Sequence, residues 1–213
     1  MDYFDQVAEE WDDLRAGYFD ETVRGAAIEQ AGLSPEMVVA DVGTGTGFVI
    51  QGLAPLVKKV YGFDASAEML KVAARNLEGF NNVELRQADG LVLPLEDGSL
   101  DAIFANMYLH HIPEPPLALK EMARLLRRGG KLILTDLDQH DQEWMREEMT
   151  DFWLGFDRTQ IDNWLREAGF EKVTVECAPT PCCTDSPEGE EVSISIFIAR
   201  GTKAVQDLTR LPV

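Results

Sequence analysis

The chain has 213 residues, 45% hydrophobic and 27% charged, a composition that excludes disordered and fibrous classes and is enough for one self-sufficient core over 1–213. Its formal net charge of −19, from 38 acidic against 19 basic residues, opposes a phosphate backbone, so no nucleic-acid partner is expected. No run reaches the roughly 18 apolar residues of a membrane helix, so no membrane insertion is expected. The acidic, aromatic start and the crowded Cys177, Cys182 and Cys183 fit a cytoplasmic, reducing location.

In chain order, residues 1–19 come first. Tyr3, Phe4, Val7, Ala8 and Trp11 recur at helical spacing, and with Tyr18 they suit either a lid or an aromatic stripe packed on a sheet. Apolar runs rich in Val and Ile then alternate with helical patterns, the signature of βαβ units and a parallel sheet. Strands are predicted near 38–42, 59–63, 83–87, 100–105, 131–136, 172–176 and 192–199. Helices are predicted near 20–31, 47–56, 66–78, 115–127 and 158–168, with Ser66 as one cap and Gly129-Gly130 and Gly169 as stops. Met145, Met149 and Phe152 predict one more helix within 139–156, and the Pro- and Gly-containing stretch 178–191 predicts a loop.

The first predicted strand runs into "ADVGTGTGF", residues 40–48. There is no GK[ST] of a phosphate loop, and the sixth position counted from Gly43 is Phe48, which counts against a dinucleotide fingerprint. Asp41 before the bend instead suits a ligand that carries positive charge and no pyrophosphate, such as S-adenosylmethionine. Asp64 ends the second strand, where a carboxylate can accept from both ribose hydroxyls, and Asp89 follows the third, where it can accept from an adenine amino group. Each acid taken singly could equally be a helix cap or a turn former.

Four segments in order, "VADVGTGTG", "VYGFDASAEMLKVAARN", "ADGLVLPLEDGSLDAIFANMYLHHI" and "EMARLLRRGGKLILTD", resemble the successive motifs of class I S-adenosylmethionine-dependent methyltransferases. They are most similar to the small-molecule branch with the ubiquinone, menaquinone and arsenite methyltransferases. The resemblance implies an α/β, Rossmann-like fold: a seven-stranded, mostly parallel sheet in the order 3-2-1-4-5-7-6, last strand antiparallel, helices on both faces. It implies S-adenosylmethionine as cofactor. Gly43, Thr44 and Gly45 would let backbone approach its methionine part, Asp41 would orient the amino group, and Asp64 and Ala65 would take the ribose. Met69, Asp89, Gly90 and Leu91 would surround the adenine, Asn106 would sit beside the methionine, and Tyr18 would close over the ligand. Arg128 stands where the family usually has proline.

For the acceptor, a small molecule, His110, His111 and Asp136 lie at or after strand ends on the ligand edge and are candidate bases, with purely structural roles as the alternative. His140, Glu143, Glu147 and Asp151 share one face if the helix there is continuous, which would suit a metal ion or simply be a solvated acidic face. Cys182 and Cys183 could hold a soft metalloid, as in arsenite methyltransferases, or be ordinary loop residues. A non-catalytic sensor that binds adenosylmethionine or metal is the reading from another class, and the sequence leaves a homodimer open.

Overall fold

A computed structural model describes residues 3–187 and 189–205. Its helices and strands, in chain order, are α1 (Tyr3–Val7), α2 (Trp11–Tyr18), α3 (Glu21–Ala31), β1 (Val38–Val42), α4 (Phe48–Leu53), β2 (Lys59–Asp64), α5 (Ala67–Asn76), β3 (Val83–Gln87), β4 (Leu100–Asn106) and α6 (Pro115–Leu125). There follow β5 (Leu126–Leu137), α7 (Trp144–Glu148), α8 (Arg158–Glu167), β6 (Phe170–Cys177), β7 (Cys182–Asp185), β8 (Glu191–Ile194) and β9 (Ile196–Lys203). The main sheet runs β3-β2-β1-β4-β5-β9-β6. Its first five strands pair in parallel, and β9 is antiparallel to both neighbours. The predicted order holds, with β9 in the place of the seventh strand.

The central strands are nearly continuous apolar runs because both of their faces are covered. Val39, Phe104 and Ile133 point into one core with Val23 of α3 and Ile50 of α4; their neighbours Ala40, Ile103 and Leu132 point into the other, with Leu119 of α6 and Ile161 of α8. Local chemistry sets the helix ends. Ser66 Oγ accepts from Met69 N at 3.1 Å at the start of α5, and Asp157 Oδ1 accepts from Thr159 N at 2.8 Å at the start of α8.

Four expectations need correction. The stretch 192–199 is two strands: β8 pairs with β7 in a separate hairpin, and β9 starts after Ser195, whose carbonyl accepts from Asp138 N at 2.8 Å. The loop expected over 178–191 therefore contains β7. Gly129-Gly130 do not stop α6, which ends at Leu125; they lie inside β5, beside the register shift between Leu100 and Ala102. The helix expected within 139–156 is only the five residues of α7. It stops because Thr150 turns left-handed at φ 60 and the backbone N–H groups of Phe152 and Trp153 go instead to His110 O, at 2.9 and 3.1 Å.

Candidate active site

The parallel strands β1, β2 and β4 all end at one edge, which is where an open α/β sheet leaves a crevice. The bend after β1 curls over β2: Gly43 N and Thr44 N both donate to Phe63 O at 2.9 Å. Gly43, Gly45 and Gly47 have φ of 74, 53 and 91°, conformations that side chains disfavour. A Cβ on Gly43 or Gly90 would also overlap the Tyr108 ring. Asp64 holds the bend in place, its Oδ2 accepting from Gly45 N at 2.7 Å and its Oδ1 from Ser66 N at 2.9 Å.

The resulting cleft of about 450 Å³ is lined by Gly43, Thr44, Gly45, Asp64, Ala65, Met69, Asp89 and Asn106 of the expected set. Asp41 lies behind the bend, 1% exposed; its Oδ2 accepts from Thr44 Oγ1 at 2.7 Å, and its Oδ1 has no partner. Burial, reinforced by the charge of Asp64, pushes its carboxyl up to about 7 against the Thr44 hydrogen bond. Three expected residues besides Asp41 do not line this cleft. Gly90 is covered by Tyr108, and Leu91 packs against the core under α6. Tyr18 lines a neighbouring cavity.

Sequence reasoning missed residues that complete the wall, Arg15, Met107 and Tyr108 among them. Arg15 comes from α2; its guanidinium stacks 3.9 Å from the Phe48 ring centroid, and its Nε is buried without a hydrogen bond. Met107 is held at φ 50 just past β4, a strained backbone of the kind that gathers at ligand sites. The amino-terminal segment is tied across the mouth by side chains. Thr46 Oγ1 and Asn76 Nδ2 donate to Asp12 at 2.6 and 2.9 Å, and Ser66 Oγ donates to Asp5 Oδ1 at 2.6 Å. The helical spacing of Tyr3, Phe4, Val7, Ala8 and Trp11 suggested such a cover, but not the side chains that tie it down.

A second, smaller cavity of about 50 Å³ adjoins the cleft beneath α1 and α2, with Phe4, Trp11, Met107 and His111 shared between the two. Aromatic and methionine side chains dominate it, and its polar end is His110, His111 and Asp151. His110 Nδ1 meets Asp136 Oδ1 at 2.6 Å, and Asp136 also accepts from the backbone N–H of Leu109 and of Leu137. Asp136 is fully buried, so it is not a solvated strand end. Burial lowers the His110 pKa, but the charge and hydrogen bond of Asp136, with Asp151, more than reverse this and raise it. His111 is pushed well below its ordinary value, by burial first and then by His110. Burial raises Asp151 to about 6.

The proposed metal ligands His140, Glu143 and Glu147 do not converge. Their alignment required a continuous helix; α7 instead leaves Glu143 and Glu147 exposed and His140 outside it. His140 Nδ1 accepts from Gln142 N at 3.3 Å, which leaves the proton on Nε2. Cys182 and Cys183 are consecutive strand residues and face opposite sides of the hairpin. Cys182 is buried on the core, and burial pushes its thiol up to about 12, whereas Cys183 Sγ lies 3.9 Å from Ser193 Oγ.

The known proteins that this chain resembles are methyltransferases for the most part. A model of the methyltransferase domain matches residues 40–134. An uncharacterized methyltransferase of Geobacillus kaustophilus is 31% identical over 69% of this chain and 71% of its own length. The demethylmenaquinone methyltransferase of Desulfitobacterium hafniense is 28% identical over 74% of this chain and 65% of its own. The chain spans half or less of several curated relatives, such as a rice 2-methyl-6-phytyl-1,4-hydroquinone methyltransferase, 29% identical over 76% of this chain and 47% of that protein. The crystal structure of the Bacillus subtilis YcgJ protein shares the fold, with a TM-score of 0.72 at 19% identity over 88% of this chain and all of that one. The glycine bend with its flanking acids, the sheet order and these relatives together place the chain in the family of class I S-adenosylmethionine-dependent methyltransferases.

Proposed function

We propose that the protein transfers a methyl group from S-adenosylmethionine to a small, largely apolar acceptor seated where the cavity beneath α1 and α2 opens into the larger cleft. The observation that carries this is the join between a cleft ringed by Asp64 and Asp89, with buried Asp41 behind its glycine bend, and a separate aromatic chamber with one polar end. When bound, S-adenosylmethionine supplies an electrophilic methyl carbon on a sulfonium. The unpartnered Asp41 Oδ1 fits a buried cationic group, and the three glycines leave backbone room beside it. Asp64 and Asp89 line the cleft, and in this reading they accept from the ribose and from the adenine edge.

Displacement at carbon needs the partners held close and water kept out, and Phe4, Trp11 and the Asp12 and Asp5 tethers supply that cover. At the polar end, His110, oriented by Asp136, takes up the proton that the acceptor loses, since burial makes His111 the weaker base. The aromatic lining and the names of the quinol-methylating relatives support an aromatic hydroxyl or activated ring carbon as nucleophile. The split orientation of Cys182 and Cys183 gives a metalloid acceptor no such support.

Thermal-shift titration with adenosylmethionine and adenosylhomocysteine, on the natural chain and on Asp64→Asn, tests the donor site. A rise in melting temperature that weakens in the variant is expected. No rise with either ligand refutes the reading. Methyl transfer is then read as adenosylhomocysteine release on a panel of hydroquinones and phenols; tight binding without turnover on any of them would leave a binding module.

A further inference from the structure

We propose that His110, His111 and Asp151 form a binding site for one divalent transition-metal ion at the polar end of the acceptor cavity. Among the described residues, these three bring one ligand atom each to within 4.8 Å of one another. Two of the separations are shorter: Asp151 Oδ1 lies 3.4 Å from His111 Nδ1 and 3.8 Å from His110 Nε2. Ligand atoms around an ion at about 2.1 Å stand roughly 3–3.5 Å apart, so only a small contraction is needed.

The cluster is also short of partners. His111 Nδ1 and Asp151 Oδ1 are both buried and neither makes a hydrogen bond, although they face each other. Leaving such atoms unmet is costly, and a cation between them satisfies both. Asp136 prepares the third ligand: it accepts a hydrogen bond from the Nδ1–H of His110 and so leaves the Nε2 lone pair facing Asp151, the arrangement in which an outer carboxylate orients a metal-bound imidazole. The fold assembles this deliberately. The left-handed turn at Thr150 and the bonds from Phe152 and Trp153 to His110 O bring Asp151 back against the histidine pair from 40 residues away.

Two imidazoles and one carboxylate favour a borderline ion such as Zn²⁺ or Fe²⁺ over Mg²⁺ or Ca²⁺, and three protein ligands leave positions open. Because His111 also lines the adenosyl cleft, the open positions lie between the two chambers. If the proposed transfer reaction holds, an ion held there would replace His110 as the group that activates an acceptor hydroxyl, by lowering the pKa of that hydroxyl, which is a consequence and not part of the evidence for the site.

The test is Zn²⁺ titration of the tag-free, chelator-treated chain by calorimetry with a competing chelator, with adenosylhomocysteine titrated on every variant. One Zn²⁺ per chain is expected. His111→Gln and Asp151→Asn should each weaken it at least about 100-fold, and Asp136→Asn about 10- to 100-fold. His140→Gln and Cys182→Ser should leave it unchanged. No stoichiometric binding, or binding removed by Cys182→Ser or His140→Gln and untouched by Asp151→Asn and His111→Gln, overturns the site. Co²⁺ bound to the natural chain gives an independent reading that needs no variant: a visible band without sulfur-to-metal charge transfer supports the site, and a strong near-ultraviolet sulfur band places the ion on the thiols and refutes it. Failure to bind adenosylhomocysteine would count against the transferase reading alone, since the Zn²⁺ result is read separately.

Discussion

Replacing Asp41 by asparagine is expected to stabilise the ligand-free protein while weakening its hold on adenosyl ligands, and the first effect should grow with pH. The carboxyl is buried, with one oxygen bonded to Thr44 and the other to nothing, and its pKa stands at about 7 against 3.8 when exposed. Between those two values the folded protein keeps a proton that the unfolded chain releases, so stability falls as pH rises from about 4 to 7. At 1.36 kcal/mol per unit, a shift of about 3 units is worth roughly 4 kcal/mol at most once pH exceeds 7. Asparagine does not titrate. The variant should therefore gain on the natural chain by up to about 4 kcal/mol between pH 4.5 and 8, or about 8–16 °C in melting temperature for a chain of this size. Adenosylhomocysteine carries an ammonium that the ionised carboxylate would meet, so binding to the natural chain should tighten from pH 6 to 8. Loss of a charge-assisted hydrogen bond of about 1.5–3 kcal/mol predicts binding to the variant roughly 10- to 100-fold weaker at pH 8. Differential scanning fluorimetry across pH, paired with calorimetry at pH 8, reads both. Melting curves that stay parallel for the two proteins from pH 5 to 8.5, or equal affinities at pH 8, would refute the reasoning.

Three further predictions follow from particular contacts. Asp12→Ala removes the bonds from Thr46 and Asn76, and should raise the dissociation rate of adenosylhomocysteine about tenfold with little change in melting; Trp11 fluorescence in stopped flow measures it, and an unchanged rate would deny the segment a covering role. Gly43→Ala combines φ 74 with overlap of Tyr108 and should cost about 2–4 kcal/mol in urea denaturation, part of which Tyr108→Ala in the same chain should restore. Iodoacetamide should modify exposed Cys177 first, Cys183 next and Cys182 only on unfolding, because Cys182 is 3% exposed with its thiol pushed up to about 12; intact-mass kinetics that show Cys182 reacting as fast as Cys177 would contradict the buried face of β7.

Much of the donor site was legible because it is local. A strand, a bend of glycines and an acid at each of two further strand ends are features of adjacent residues, and Gly43, Asp64 and Asp89 lie where that pattern put them. Leu91 and Gly90 were misjudged because a residue beside a site need not face it: the chain after Asp89 turns under Tyr108. Arg15 and Tyr108 gave no signal, since one arginine and one tyrosine among many carry no periodicity. The expected alignment of His140, Glu143 and Glu147 failed for a sharper reason. Helical spacing aligned His140 with Glu143 and Glu147, but the helix ends within five residues, because the bonds to His110 O compensate for a left-handed Thr150 that no local preference would choose.

By itself, then, the sequence determined the succession of strands and helices, the glycine bend and the carboxylates that flank it, because hydrophobic period and turn chemistry act between neighbours along the chain; the order of the strands in the sheet came only from the family resemblance. Only the tertiary structure decided that Asp12 reaches Thr46, that Cys182 and Cys183 face apart, and that Asp151 joins His110 and His111. Those pairings depend on which groups find partners across the sheet edge, and hydrogen bonds between residues 34 or 42 positions apart leave no trace in local pattern.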